Sequence, residues 1–213
     1  MNHHVIGFQS SDFDVFTIPG LEARMQALIG QVRPKLQAVG DSLAPELSAR
    51  CGEPMYAHVA KHARRTINPP DDSWVAWSSS KRGYKALPHF QVGLWSTHLF
   101  AQFAVIYEYP YKQAFAGKLL ERIRDIRGLI PAHFVWSGNH MRPEAVRMSD
   151  LSDRDLEELF RRLAGVKQAE LLCGIHLPRD SETAADGNRL LETVSEAFDV
   201  LLPLYRLAVR ATS

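Results

Sequence analysis

Four short runs rich in strand-forming residues follow one another between residues 55 and 108, and this block constrains the fold more than any other stretch. Met55–Thr66 and Trp74–Trp77 alternate in polarity, Phe90, Val92 and Leu94 share one face of a third run, and Leu99–Glu108 is crowded with Phe, Val, Ile and Tyr. These residue types suit a pleated, half-buried surface. The links are short: Asn68-Pro69-Pro70-Asp71 has turn chemistry, and Ser78–Pro88 is a second, basic connection. Parallel neighbours need a long crossover and antiparallel neighbours do not, so the block reads as a mostly antiparallel meander.

Helical patterns bracket it. Leu21, Met25, Leu28 and Ile29 recur at helical spacing, Pro34 suits the first turn of a second helix carrying Leu36, Val39 and Leu43, Pro45 opens a further turn, and Gly52 closes the region. Residues 112–127 form a helix with Phe115, Leu119, Leu120, Ile123 and Ile126 inward, ended by Pro131. His133–Ser137 and Ala145–Met148 read as a strand pair joined through Gly138-Asn139. Ser152 caps a helix with Asp153 and Asp155 in its first turn, Ala169–Leu177 is a strand, Thr183–Gly187 a loop, and Leu190–Val209 a long helix bent near Pro203. DFDVFTI at 12–18 reads as a short strand or extended lead-in. Strands bracketed by helices without βαβ alternation give an α+β class, one domain with a mostly antiparallel sheet and helices packed on it.

The 213-residue chain has a net charge of +1, so no global field draws it to nucleic acid or an anionic membrane. Charge matters locally. Between residues 55 and 90, Lys61, Arg64, Arg65, Lys81, Arg82 and Lys85 stand against only Asp71 and Asp72, a local excess of +4. His58, His62 and His89 add protonatable donors. On a continuous strand His58, His62 and Arg64 share one face. SSSKRGYK supplies hydroxyls, backbone N–H groups and cations of the kind that hold a phosphate or carboxylate. The plain alternative is a solvated rim whose charges pair with helical carboxylates.

Other chemistries lack their parts. HVAKH has the HxxxH spacing without the general-base glutamate of HExxH, and its lysine repels a metal, so no metal and no cofactor are expected. Cys51 closes a helix, where the dipole disfavours a thiolate, and Cys173 lies on an apolar strand. GxxxxGK[ST], GxGxxG and GxSxG are absent. Glu108 and Glu170 sit in otherwise apolar strands and need partners. The N-terminal MNHHVIGFQSSDFDVF lacks a basic run followed by an apolar one, no stretch is long enough to span a membrane, and two unpaired cysteines suit a cytoplasmic location.

HVAKHARRTINPPDDSWVAW followed by SSSKRGYKALPHFQVGLW resembles the YktB-like family of uncharacterised bacterial proteins. The likeness continues through GLEARMQALIGQVRPKL, IYEYPYKQAFAGKLLE, LSDRDLEELFRRL and QAELLCGIHLPRD. It covers most of residues 7–180, leaving 181–213 as a C-terminal helix of the same single domain over 1–213. The family implies a cytosolic α+β protein with a large curved sheet and brings no activity, hence no catalytic residues. KRGYK…PHF also loosely resembles the Arg-Gly loop and following strand of biotin and lipoate protein ligases, which implies a sheet holding an anionic ligand.

Three readings follow. In the first, His58, His62, Arg64, Arg65, Lys81, Arg82, Lys85 and His89 line a concavity for a phosphate- or carboxylate-bearing small molecule, with Arg64 and Arg82 as clamps and His62 as candidate proton donor; whether a reaction follows is open. In the second, the same patch binds nucleic acid, with Trp74 or Tyr84 stacking on bases. In the third, the chain is a non-catalytic regulatory module that docks a partner through an exposed apolar patch near Leu201–Leu207. Oligomeric state is left open.

Overall fold

Side-chain alternation sorts the central strands onto two unlike faces of one sheet. The computed structural model describes residues 5–212; residues 1–4 and Ser213, the ends of the expected 1–213 domain, lie outside the described residues. The strands are β1 (Tyr56–Val59), β2 (Asp72–Ser78), β3 (His89–Trp95), β4 (His98–Val105), β5 (Val135–Ser137), β6 (Val146–Arg147) and β7 (Leu171–Pro178). They form a seven-stranded open sheet in the order β1-β2-β3-β4-β7-β5-β6, and every pairing is antiparallel.

One face carries Val75, Trp77, Phe90, Val92, Leu94, Phe103 and Cys173, all buried. Packed over it are α3 (Arg33–Cys51), α4 (Lys112–Glu121), α6 (Asp153–Gly165) and α8 (Gly187–Val209). Phe90 is the hub: its ring lies 4.8 Å from that of Phe198 and 5.3 Å from that of Tyr205, both on α8. Trp77 donates its indole N–H to the Gly40 carbonyl of α3 at 2.9 Å, so its polar atom is satisfied in the core. The shorter helices are α1 (Ser10–Asp14), α2 (Leu21–Ala27), α5 (Ile123–Leu129) and α7 (Glu182–Ala185).

The other face reads across the strands in rows. His58, Ala76, Gln91, Gln102, Gly174 and Val135 follow one another from β1 to β5, and Trp74, Gly93, Phe100 and His176 make the next row. The loops of residues 79–88 and 138–145 lie over this face, contributing Tyr84 and His140 against it. A Cβ at Gly93 would run into the Phe100 ring and the Cβ of Trp74; glycine leaves the space those side chains occupy beside β3.

Several elements depart from expectation. Residues 12–18 are helical turns, not a strand: α1 runs into a 3₁₀ turn at Val15–Thr17, with Phe13 and Phe16 buried. Met55–Thr66 is a strand only to Val59. Ala60 N–H still donates to the Trp74 carbonyl at 2.8 Å, but His62 adopts φ 50°, a left-handed conformation that cannot continue a ladder. The helix expected at 112–127 is two, interrupted at Arg122. Thr183–Gly187 overlaps α7 rather than forming a plain loop. Pro45 lies inside α3 instead of opening a new helix. α2 joins α3 through a wider turn at Leu28–Val32, immediately before Pro34, which has no N–H to return to the Gly30 carbonyl. Ser152 does cap α6, accepting from Asp155 N–H at 3.2 Å, and Gly52 ends α3 at φ 76°.

Replacing Phe90 by Ala empties the hub beneath α8 and should cost about 3–5 kcal/mol in urea unfolding. Ile67→Ala, at a residue 80 % exposed, should stay within about 0.5 kcal/mol of the parent.

Candidate functional site

The positive-φ turn at His62 carries Lys61, Arg64 and Arg65 off the edge of β2, and they line an open groove with Trp74, Tyr84, Lys85 and Glu108. Two hydrogen bonds and one ring contact hold its wall. Trp74 Nε1 donates to the Tyr84 hydroxyl at 2.8 Å, and the His62 ring stands edge-on to Trp74 at 5.5 Å and 90°. His62 Nε2 meets the Ser73 hydroxyl at 3.2 Å. Burial, then the charges of Arg65 and Arg33, push His62 down to about 4, so at neutral pH it is an uncharged imidazole.

Among the described residues the Lys61 and Arg64 side chains have no hydrogen bond or ion pair. Arg65 donates to the Asn68 and Pro69 carbonyls at 3.4 and 3.3 Å, and Lys85 faces Glu108 at 3.6 Å. Of the residues singled out in the sequence, His62, Arg64, Arg65 and Lys85 therefore share this groove. The others lie elsewhere. His58 Nε2 contacts the Ser80 carbonyl at 2.8 Å and its ring is tilted against Tyr84 at 5.9 Å. Lys81 Nζ sits over the Tyr56 ring at 5.3 Å. Arg82 is exposed, with its backbone N–H donating to Ser80 Oγ at 3.1 Å. His89 is wholly buried beneath Tyr84, ring to ring at 4.9 Å.

His89 belongs to a second arrangement, in the middle of the polar face. Its Nδ1 lies 2.7 Å from the Leu87 carbonyl; a carbonyl only accepts, so Nδ1 carries the hydrogen and Nε2 is the lone pair. Nε2 accepts from Gln91 Nε2 at 2.9 Å, and Gln91 Oε1 accepts from Gln102 Nε2 at 3.0 Å. Burial holds His89 down to about 4, consistent with that neutral tautomer. Gln102 ends the relay and lines a small cavity with Asp72, Trp74, Trp95, Phe100 and His140.

The 138–145 loop is tied down at one point. His140 Nδ1 meets the Glu170 carboxylate at 2.7 and 2.8 Å, and His140 backbone N–H donates to it at 2.8 Å. Burial acts to raise Glu170, but the hydrogen bonds and charge of His140 outweigh it and hold the carboxyl below its usual value. Glu170 thus takes its partner from the loop, not from the basic segment at 58–66. Glu108 lies beyond β4 and is part of the groove. The sequence signals for this second arrangement were Gln91, Gln102 and Glu170 interrupting apolar strands; nothing local pointed to Asp72 or His140.

Neither cysteine is activated: burial pushes Cys51 up to about 12 and raises Cys173 strongly. Among the described residues no group of three or more His, Cys, Asp or Glu stands together as metal ligands, and no helix is long and apolar enough to cross a membrane. Leu201, Leu202, Leu204 and Tyr205, where a docking patch was expected, are buried.

The family model described as "Domain of unknown function (DUF1054)" matches residues 8–205. A UPF0637 protein of Bacillus licheniformis is 51% identical over 205 residues, covering 96% of this chain and 97% of its own. Another from Bacillus velezensis is 52% identical over 206 residues, covering 96% and 98%. A third, from Bacillus cytotoxicus, is 46% identical over 203 residues, covering 95% and 98%.

His98 and His176 stack at 3.9 Å, and burial pushes them down to about 4 and about 3. Their folded values lie below the unfolded one, so between about pH 6.5 and 4 the unfolded chain binds more protons. The stability they allow is present above that window and is lost as pH falls through it. Urea midpoints should drop between pH 7 and 4.5, and drop less in a His98→Phe/His176→Phe double variant.

Proposed function

The chain belongs to the DUF1054 family of bacterial proteins, and from that premise we propose that it is a cytoplasmic protein whose groove beside Trp74 binds a small ligand bearing a phosphate or carboxylate. The observation that carries this reading is that Lys61, His62, Arg64, Arg65 and Lys85 line one groove while, among the described residues, the Lys61 and Arg64 side chains have no partner of their own. Cations without protein partners at a concave site are available to an anion, and charge-assisted bonds to oxygens are the stronger kind. Two free cysteines suit a reducing compartment.

His62 is the group whose protonation the ligand would change. An anion in the groove favours the imidazolium, opposing the burial and the arginine charges that keep the ring neutral. Affinity then rises as pH falls from about 7 toward 5, and binding takes up a proton. Trp74 and Tyr84 form a wall on which a ring can lie. A nucleic-acid ligand would use the same cations, but the chain's net charge of +1 gives it no broad attraction to a polyanion.

Isothermal titration with nucleotides and phosphorylated metabolites tests the reading. A ligand should bind with proton uptake, and Arg64→Ala should weaken it about 10–100-fold, the loss of a charged hydrogen bond of roughly 1.5–3 kcal/mol. A steep fall with salt and preference for long single strands would favour the nucleic-acid reading. No heat with any anion, or equal affinity in Arg64→Ala and Lys61→Ala, would remove the groove from consideration.

A further inference from the structure

The cavity over the middle of the polar face presents hydrogen-bond acceptors that lack a side-chain donor among the described residues. Asp72 is 9 % exposed, and its carboxylate accepts from its own backbone N–H. Among the described residues it makes no ion pair, although a buried carboxylate is costly without one. The second acceptor is Gln102. Its Nε2 is committed to Gln91, whose own Nε2 is committed to His89, whose tautomer is fixed by the Leu87 carbonyl. The relay has a single sense, and it leaves Gln102 Oε1 as the free end at the cavity.

The rest of the lining mixes aromatic rings with polar and charged side chains of the 138–145 loop, Arg142 and Glu144 among them. Trp74, Trp95 and Phe100 line the same space, and Gly93 leaves room for the Phe100 ring beside the base of the Trp74 side chain. The cavity measures about 20 Å³, room for one water-sized group. A carboxylate, an amide oxygen and three rings in so small a space select a compact, donor-rich cation, because ring faces attract cations and both polar groups require donors. We propose that the cavity is a binding site for a primary ammonium head group, held by Asp72 and Gln102 and walled by Trp74, Trp95 and Phe100. The rest of the amine leaves past the 138–145 loop, which is latched by His140 on Glu170.

None of the groove's cations lines this site, although Arg65 acts on Asp72 from the groove, and the site stands or falls apart from the anion reading; Trp74 is the wall common to both. It also accounts for a carboxyl that burial pushes up to about 7. Such a group destabilises the fold as pH rises through that value, since the folded chain then gives up a proton that it held more tightly than the unfolded chain did. The charged groups acting on it are His140 and Arg65, which favour the carboxylate, and Asp71, which opposes it. Arg142 and Glu144 stand at the rim with opposite charges. His140 faces the same cavity, so a variant at Asp72 is needed to assign the pH dependence to the carboxyl.

The test uses the full chain and methylammonium or n-butylammonium chloride as probes, read by the indole N–H signals of 15N-labelled protein, with 1-butanol as the neutral control. Saturable shifts of Trp74 and Trp95 are expected at about pH 8, at least about tenfold weaker at about pH 5.5, with no response to butanol. Asp72→Asn should abolish saturation while raising the melting temperature at about pH 8 and leaving it unchanged at about pH 4. If Asp72→Asn fails to fold, the removal of a buried charge was not a relief and the proposal is overturned. Trp95→Leu, which keeps the carboxylate, should weaken binding about tenfold or more. Absence of saturation up to about 100 mM, the range tiny ligands reach, overturns the site, as does unchanged affinity in either variant.

Discussion

The packing of α8 and α3 against Phe90 and Trp77 fixes one face of the sheet as the core, and the alternation of the strands then dictates what the other face must be. Residues Phe90, Val92 and Leu94 cannot move to the second face without carrying His89, Gln91 and Gly93 into the core. The second face is therefore built from the residues left over. It is nearly as buried as the first, since Trp95, Phe100 and Ala104 lie on it with little exposure. It nevertheless carries amides, imidazoles and a carboxylate, and those groups must find partners within a thin layer capped only by loops.

Most of them do, and the way they do so separates scaffold from site. His89, Gln91 and Gln102 satisfy one another in sequence, Glu170 is matched by His140, and Trp74 by Tyr84. Among the described residues the groups left over include cations Lys61 and Arg64 beside the sheet edge, acceptors Asp72 and Gln102 on this face, and His98 Nε2. A fold selected for stability alone would pair or remove such groups, because each carries a cost that better packing avoids. The cations and the acceptors share one neighbour, Trp74, which lines both the groove and the cavity.

Much of the architecture was legible in the sequence because its signals were local. Period-2 runs with short links gave the antiparallel block, and Ser152 with Asp155 gave a helix start from a capping pattern that needs only four consecutive residues. The misreadings came where a local pattern met a tertiary demand. HVAKHARRT alternates like a strand through Thr66, yet the chain turns at His62; DFDVFTI alternates too, and buries Phe13 and Phe16 from helical turns instead. Pro45 looked like a helix start and lies exposed inside α3, between the buried Leu43 and Leu47. At the site, the sequence exposed the charge excess but could not tell which cations share a groove, since that depends on where the chain leaves β2. It gave no hint of Asp72 as an isolated carboxylate, because Asp71-Asp72 after two prolines has the look of an ordinary turn.

The His89–Gln91–Gln102 relay also bears on how this face can respond over time. Leu87 offers only a carbonyl, so the imidazole hydrogen on Nδ1 cannot migrate to Nε2 without forfeiting that bond. Turning either carboxamide end for end would set donor against donor or acceptor against acceptor at its neighbour, so neither can flip alone. The three side chains form a ratchet with one permitted setting, and the identity of the atom shown to the cavity is decided by a backbone carbonyl at the far end of the row.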